Sequence, residues 1–229
     1  MCTNSFIRKL SYVTPKNIFW NFKILPLKQA IKIPLCFSRY CKVSIPRNGI
    51  VIEAPKVKPG MAKFGYSYVG FSKSTIDHSL IVIEKQGIQS GKLFIHGFFY
   101  LGAGSRLDIG ALGSIHTGNN FKVSCLSRII CTSNISFGEN CLISWECLFM
   151  DSDFHRLFKN GKVINDSKSI IIGNNVLIGA RSTILKGASI PNNTVIGGCS
   201  VVTKNLSKQN CVYAGVPAHI IHESIEWKE

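Results

Sequence analysis

Residues 172–202 read IGNNVLIGARSTILKGASIPNNTVIGGCSVV, and an aliphatic side chain recurs at every sixth position. The recurring residues are Ile172, Ile178, Ile184, Ile190, Ile196 and Val202. This period matches neither the turn of an α-helix nor the heptad of a coiled coil. A short strand followed by a turn keeps the period, because alternate strand residues face the same side. The segment therefore predicts stacked strand–turn units around an aliphatic core.

The same period continues upstream in a different phase. Its members are Phe137, Ile143 and Phe149, with a looser run at Ile109, Ile115 and Phe121. The two phases meet in a polar stretch that contains Lys-Asn-Gly-Lys at residues 159–162. Such residues are typical of turns. We therefore predict a solenoid over residues 76–219, interrupted by one loop over residues 154–169.

The two ends of the chain lack the period. Residues 1–75 contain six prolines and predict an irregular lead-in region with short helices near 17–25 and 27–35. Near the C-terminus, Ile221, Ser224 and Ile225 have helical spacing, so residues 220–229 predict a cap helix that blocks edge pairing. The fold class predicted is all-β, with a partly helical N-terminal region and a short C-terminal helix.

Composition narrows the class of protein further. Of 229 residues, 45% are hydrophobic and 17% are charged, which excludes a disordered chain. No apolar run is long enough to span a bilayer, and no secretory signal is evident, so a cytoplasmic protein is expected. Residues 1–75 hold 13 Lys/Arg and the single acid Glu53. That region predicts either peripheral contact with an anionic membrane or a solvated basic face, and no nucleic-acid module is recognised.

Nine cysteines are present, and none forms a Cys-x-x-Cys pair. Cys125 and Cys131 are six residues apart, as are Cys141 and Cys147. One cysteine in each repeat unit predicts a small buried apolar side chain rather than a zinc site or a disulfide. A reducing compartment is the expected location.

Several segments resemble the hexapeptide-repeat acyltransferases. They are IGNNV at 172–176, IGA at 178–180, ILKG at 184–187, VVTK at 201–204 and YAGVPA at 213–218. The branch that they resemble contains maltose and galactoside acetyltransferases and O-acetyltransferases of bacterial surface polysaccharides. The resemblance implies a left-handed parallel β-helix with three flat sheets and three hexads per coil. It also implies a homotrimer that binds acetyl-CoA between subunits.

The same resemblance implies a catalytic histidine at the start of the loop. The matching residue is His155, in the sequence MDSDFH at residues 150–155. An imidazole can remove a proton from a sugar hydroxyl and return it to a leaving thiol. Asp151 and Asp153 could orient that ring or bind the acceptor, and parity along the strand predicts that both point the same way. Asp-x-Asp-x-His could instead be a metal cluster, a weaker hypothesis, so no metal is expected.

Further site residues follow from the resemblance. The positions that match the coenzyme contacts of the family are Gly179, Ala180, Lys186, Gly198, Thr203 and Lys204. Small residues would let the pantetheine arm approach the backbone, and a lysine could meet a phosphate. The glycines could equally serve turn geometry alone. Trp145 could stack on a sugar ring or pack at a subunit interface.

The function predicted is acetyl-CoA-dependent O-acetylation of a sugar or sugar-lipid hydroxyl, in surface-polysaccharide biosynthesis. Two alternatives stay open. The first is a non-catalytic scaffold at a membrane surface, which the basic first third of the chain favours. The second is a zinc enzyme like the γ-type carbonic anhydrases, although their histidine spacing is not evident.

Overall fold

The computed structural model describes residues 12–66 and 78–228. Two helices come first: α1 at Pro15–Ile24 and α2 at Leu27–Ala30. Helix α1 begins where the side chain of Thr14 accepts a hydrogen bond from the backbone N–H of Asn17, at 3.2 Å. The short helices predicted in this region are present. The second ends at Ala30 rather than at residue 35, because Pro34 is unsuited to a helix interior and the next strand follows directly.

The described residues form 26 strands, numbered here in chain order, and most of them lie in three sheets. Sheet A contains β1 (Leu35–Phe37), β4 (Ala62–Tyr66), β9 (Phe99–Gly102), β12 (Phe121–Val123), β15 (Leu142–Ile143), β20 (Leu177–Ile178), β23 (Val195–Ile196), β25 (Cys211–Gly215) and β26 (Ala218–Glu223). Sheet B contains β2 (Lys42–Ser44), β5 (Leu80–Ile83), β10 (Arg106–Ile109), β13 (Arg128–Cys131), β16 (Leu148–Met150), β21 (Thr183–Leu185) and β24 (Val201–Val202). Sheet C contains β3 (Ile50–Ile52), β8 (Lys92–Ile95), β11 (Ser114–Thr117), β14 (Asn134–Phe137), β19 (Ile170–Ile172) and β22 (Ser189–Ile190).

Two small antiparallel hairpins project from this framework. One pairs β6 (Lys85–Gln86) with β7 (Gln89–Ser90), and the other pairs β17 (Phe158–Lys159) with β18 (Lys162–Val163). Within the three sheets the neighbouring strands are parallel, except for the final pair β25–β26. The chain visits sheets A, B and C in turn, which is consistent with a hexapeptide left-handed β-helix. The predicted solenoid is confirmed.

The core is the inward column that the six-residue period predicts. All six aliphatic residues of the 172–202 period are at most 2% exposed. Upstream coils add a stack of phenylalanine rings, Phe64, Phe99, Phe121, Phe137 and Phe149, with successive centroids 4.7–5.5 Å apart. Such ring contacts add to the stabilisation that apolar burial provides.

The predicted role of the cysteines as buried apolar side chains is confirmed at Cys125, Cys131, Cys141 and Cys147. Burial disfavours the thiolate and raises the pKa of Cys141 to about 12 and that of Cys147 to about 11. These thiols are therefore neutral at physiological pH and suited to packing.

The solenoid begins earlier than predicted. Strands β1 to β4 lie within residues 35–66, and each joins one of the three sheets, so much of the predicted lead-in region is part of the column. Helix α1 covers the edge of β1 with two buried asparagine side chains. Asn21 exchanges hydrogen bonds of 2.8 and 3.1 Å with the backbone of Leu35, and Asn17 accepts one of 2.9 Å from the N–H of Phe37. These amides satisfy strand groups that would otherwise be unpaired.

The predicted C-terminal helix is wrong. Residues 218–223 form β26, which pairs antiparallel with β25 and so extends the edge of sheet A. A cap is expected because the edge of the last strand needs partners for its backbone N–H and C=O groups. Strand β26 supplies those partners to β25 by backbone pairing. Trp227 then donates from its indole N–H to the carbonyl of Asn175, at 2.8 Å, and ties the end of the chain to the column. Across residues 12–66 and 78–228, no helix is both long and apolar enough to cross a bilayer.

Candidate functional site

The loop after β16 is the largest insertion among the coils of the C-terminal half. Ile129 is six residues before Ile135, but the residues in register with them in the next coil, Phe149 and Ile170, are 21 residues apart. The extra residues leave the column where β16 ends and return at β19. The loop predicted at 154–169 is therefore present and begins a few residues earlier.

Asp151 anchors the root of this loop. Its side chain is completely buried, and its carboxylate accepts hydrogen bonds from the backbone N–H groups of Thr132 (2.8 Å) and Ser133 (2.7 Å) and from the Thr132 hydroxyl (3.0 Å). The Cys131 thiol lies 3.5 Å from the same carboxylate, and the pKa of that thiol is raised, first by burial and then by the carboxylate charge. All these contacts go to the preceding coil. The Asp151 carboxylate thus anchors the start of the loop to the preceding coil and is not hydrogen-bonded to His155.

Asp153 lies on the other side of the backbone, at the surface. Its carboxylate contacts Lys186 Nζ at 2.7 Å and accepts a hydrogen bond from Asn165 Nδ2 at 2.9 Å. The Lys186 ammonium and the Asn165 amide hold the pKa of Asp153 below its usual range. The prediction that Asp151 and Asp153 point the same way is wrong, because the chain leaves the strand after Met150 and the two-residue alternation stops there.

Asn165 clasps the loop shut. Besides its bond to Asp153, its Nδ2 donates to the carbonyl of His155 at 2.7 Å, and its Oδ1 accepts from the N–H of Leu157 at 2.7 Å. Its own carbonyl accepts from Lys186 Nζ at 2.7 Å. One side chain therefore fixes the backbone on both sides of residue 156. Sequence reasoning missed Asn165, because it lies outside the repeat and carries no catalytic chemistry of its own.

The imidazole of His155 is exposed at the end of this clasped segment. Only its backbone is held, and its ring has no hydrogen bond or ion pair with any residue that the structure describes. The residue before it, Phe154, has a φ of 63°, a left-handed conformation that bulky residues rarely adopt. The loop thus holds the His155 backbone firmly and leaves both ring nitrogens available.

Phe154 also lines a cleft of about 800 Å³ on the outer face of sheet B. Alongside it, the cleft is lined by the outward side chains of β5, β10 and β13, including Arg106, Arg128 and Ile130. Arg106 pairs with Asp108 on the same strand. The cleft offers apolar surface, two guanidinium groups, the carboxylates of Glu84 and Asp108 and the imidazole of His78 next to the loop. The sequence did not point to this cleft, because its residues come from coils with a loose period.

The other candidate residues fall on the two corners that flank sheet B. Lys186, Thr203 and Lys204 follow β21 and β24 on the corner from which the loop emerges, and both Thr203 and Lys204 are exposed. Trp145, Ala180 and Gly198 stack above one another on the opposite corner. The carbonyl of Trp145 accepts from the N–H of Arg181, and that of Ala180 from the N–H of Cys199, both at 2.8 Å. The structure therefore does not gather the candidates into one cluster.

Gly179 has a packing role that needs no ligand. A Cβ atom at Gly179 would lie 2.5 Å from the backbone nitrogen of Gly198 in the next coil, which is closer than real Cβ contacts. A Cβ at Gly198 would lie 3.2 Å from the carbonyl oxygen of Ala180. The small residues of this corner thus let successive coils stack, and neither glycine has the positive φ that a turn role would require.

The metal-cluster interpretation of Asp-x-Asp-x-His does not fit the geometry. The carboxylate of Asp151 is buried against the preceding coil, whereas that of Asp153 is at the surface with Lys186. In the part of the chain that the structure describes, no three His, Cys, Asp or Glu side chains gather as metal ligands. The three donors that the motif suggests therefore do not converge.

Comparison with known proteins agrees with the fold and the repeat. A family model described as bacterial transferase hexapeptide (six repeats) matches residues 169–204. The chain is 31% identical over 146 residues to the putative lipopolysaccharide biosynthesis O-acetyl transferase WbbJ of Escherichia coli strain K12, over 57% of this chain and 74% of that protein. It is 38% identical over 126 residues to the polysialic acid O-acetyltransferase of Escherichia coli O1:K1 / APEC, over 54% of this chain and 38% of that protein.

The crystal structure of the polySia specific acetyltransferase NeuO has the same fold, with a TM-score of 0.57 and 22% identity, over 80% of this chain and 90% of that one. Taken with the repeat and the three parallel sheets, these matches show that the chain belongs to the hexapeptide-repeat acetyltransferase family. Across four of its curated relatives, the chain spans 61%, 38%, 44% and 54% of their lengths.

Proposed function

We propose that this chain transfers an acetyl group from acetyl-CoA to a hydroxyl group of a sugar, in the synthesis of a surface polysaccharide. The observation that carries the proposal is the exposed imidazole of His155, whose backbone is clasped by Asn165 beside the sheet B cleft. Family membership supports acetyl transfer, and the names of the relatives, which include polysialic acid and lipopolysaccharide biosynthesis O-acetyltransferases, support a saccharide acceptor.

In this proposal His155 is the general base. A neutral sugar hydroxyl is a poor nucleophile, and removing its proton during attack lowers the barrier. The imidazole would accept that proton as the hydroxyl oxygen bonds to the acetyl carbon, and would donate it to the sulfur as the C–S bond breaks. Both ring nitrogens are available for this exchange, because neither is bonded to another described residue.

Acetyl-CoA would supply the acetyl group as a thioester. The residues fit such a ligand in part: Ala180 and Gly198 leave a corner of small side chains, and Lys204 is an exposed cation on the corner from which the loop emerges. Lys186 is less available, because its ammonium is already bonded to Asp153 and to the carbonyl of Asn165. We therefore assign a phosphate contact to Lys204 and a structural role to Lys186.

We assign the sugar acceptor to the cleft on sheet B. Sugar sites commonly combine an apolar surface with a few charged groups that fix orientation, and this cleft has both. Ile130 faces into it, and Phe154 extends over it from the loop that carries His155. A bulky residue at position 130 should therefore exclude the acceptor and leave the donor site intact.

Release of free thiol from acetyl-CoA tests this function, measured with the purified protein against a panel of neutral and acidic saccharides. Saccharide-dependent release is expected, with Ile130→Trp raising the KM for the saccharide but not for acetyl-CoA. Leu112→Trp, an exposed substitution outside the cleft, serves as the control. Absence of thiol release with every saccharide, or equal effects of the two variants, would overturn the corresponding part of the proposal.

We also infer that the chain assembles as a homotrimer, as the family resemblance implies. Flat parallel sheets offer extended faces for such packing, and Ile171 on the outer face of sheet C is 51% exposed. Sedimentation equilibrium of the purified chain should give three times the monomer mass of 25.3 kDa. A mass equal to that of the monomer would reject the inference.

A further inference from the structure

Helix α1 buries two polar side chains together with Ile24 and leaves a strip of apolar side chains exposed. A surface helix normally turns apolar side chains to the core and polar ones to water. In α1, Asn17 and Asn21 are completely buried against β1, while Ile18, Phe19 and Phe22 are 40%, 57% and 49% exposed. Because the asparagines satisfy the edge of the sheet, the apolar face is left turned outward.

The residues around α1 and in α2 continue this pattern. Val13 precedes α1, Leu27 begins α2 and Ile31 follows it, and each is between 48% and 68% exposed. The helix surface is defined here as Val13, Ile18, Phe19, Phe22, Leu27 and Ile31. Isolated exposed apolar residues are ordinary, but six within nineteen residues of sequence point to a binding surface.

The charged residues within 13–32, the segment that carries the helix surface, are all lysines, and the nearby Glu84 lines a cleft together with Trp20 and Lys23. Lys23 lies over the ring of Trp20, with Nζ 4.5 Å from its centroid, and Lys28 and Lys32 are exposed. The sequence contains no acidic residue before Glu53. A partner for this surface must therefore combine an apolar layer with negative charge.

We propose that the helix surface binds an anionic lipid bilayer, with Phe19 and Phe22 at the boundary between headgroups and acyl chains. Interfacial helices of this kind have apolar side chains on one face and lysines near the anionic headgroups. Phenylalanine rings are apolar throughout and are common on the face that interfacial helices bury at the edge of the acyl chains. The basic residues 1–75 predict contact with an anionic membrane, and the proposal assigns that contact to the residues of the helix surface.

The location of the helix surface relative to the loop has a consequence. Helix α1 covers β1, in the first coil, and four strand spacings in sheet B separate β2 from β16, which is about 19 Å along the column. Bilayer binding would thus hold the His155 loop close to the membrane. On the proposed function, that location suits a saccharide that is still attached to a lipid.

Flotation of the full chain with vesicles tests the proposal directly. Vesicles of phosphatidylcholine with phosphatidylglycerol should carry the protein at low salt, and vesicles of phosphatidylcholine alone should carry much less. The variant Phe19→Ser/Phe22→Ser should weaken partitioning by about tenfold or more, because the apolar contact is lost. Lys28→Gln/Lys32→Gln should weaken it by less and remove most of its salt dependence.

Matched controls separate the helix surface from general stickiness. Ile88 and Leu112 are 101% and 68% exposed outside α1 and α2, so Ile88→Ser/Leu112→Ser should float as the wild type does. Lys56→Gln/Lys58→Gln removes two exposed lysines outside these helices. This variant is the charge control for Lys28→Gln/Lys32→Gln, and it should float as the wild type does. Gel filtration of each variant reports whether the surface instead joins two copies of the chain. Failure of the wild type to float, equal flotation of the aromatic variant, or a change of oligomeric state in that variant without loss of flotation would overturn the proposal.

Discussion

The last coils and the first coils of the column are built on the same three sheets but with different amounts of chain. In the last coils, successive strands of a sheet are 18 residues apart, as in the pairs Leu177↔Val195 and Thr183↔Val201. In the first coils the corresponding spacings are 27 residues for Leu35↔Ala62 and 38 for Lys42↔Leu80. The described inward side chains of the column stay buried at both ends.

The inward residues of the sheets and the segments outside the sheets have different roles. Inward residues of the sheets supply stability wherever they lie, because each buries an apolar side chain between neighbouring coils. The segments outside the sheets supply surface chemistry: the loop after β16 presents His155, and the helix surface before β1 presents aromatic rings and lysines. Substitutions in the column should therefore change unfolding, and substitutions in these two segments should change activity or binding.

The largest effect on stability is expected from Ile184→Ala in the column. Ile184 is completely buried, so its truncation leaves a cavity and should lower the free energy of unfolding by about 2–5 kcal/mol. Ile171, on the outer face of sheet C, is the matched control, and Ile171→Ala should change stability by about 0.5 kcal/mol or less in the monomer. Denaturant unfolding of both variants measures the difference. Equal losses would mean that the inward column is not the main source of stability.

Asp151 is where the column and the loop join, and Asp151→Ala should be costly. The substitution leaves the buried N–H groups of Thr132 and Ser133 without an acceptor, which should lower the free energy of unfolding by about 2–3 kcal/mol. Asp153→Ala, which removes an exposed carboxylate from the same loop, should have little effect on global unfolding. If the two variants unfold alike in urea, Asp151 is not the anchor described here.

A glycine should matter most where an added Cβ would meet the backbone of the neighbouring coil. Gly179→Ala forces a Cβ against the next coil and should destabilise by about 1–3 kcal/mol. At Gly110, in an earlier coil, the nearest atom to an added Cβ is 3.6 Å away, which is ordinary contact. Gly110→Ala should therefore be neutral or slightly stabilising by thermal unfolding. A larger loss at Gly110 than at Gly179 would contradict the stacking described for the last coils.

The smallest predicted effect is a local opening of the loop in acid. The pKa of Asp153 is lower in the folded chain than in the unfolded chain, because Lys186 and Asn165 bond its carboxylate. Its contribution is therefore complete above the unfolded value of about 3.9 and is lost as the pH falls through the lower folded value. Amide exchange at Leu157 should report the change, since its N–H is bonded to Asn165. Asp153→Asn should abolish this dependence, and persistence of the dependence would assign it to another group.

The sequence predicted the column well, because a large apolar residue recurs at the inward position of each coil. It located the first coils poorly, since prolines and long insertions hide the period before residue 76. It predicted a helix at residues 220–229 from spacing alone, whereas strand β26 pairs with the edge of β25. Local spacing does not reveal which backbone groups elsewhere need partners.

The candidate site shows the same limit. The family resemblance supplied both His155 and the small residues Gly179, Ala180 and Gly198. The direction of Asp151 could not be predicted, because alternation ends where the strand ends. Asn165 and the cleft residue Arg128 carry no motif, and only their contacts identify them.

The most direct test of this account measures turnover and unfolding on one preparation of His155→Ala, with His222→Ala, another exposed histidine, as the control. Acetyl transfer should fall by about 10² to 10⁴ in His155→Ala, because the general base is lost. Its unfolding midpoint should be unchanged, since the exposed ring makes no hydrogen bond or ion pair with a described residue. Turnover equal to that of the wild type, or a loss of turnover matched by a fall in stability, would contradict the claim that the loop carries the chemistry and the column carries the fold.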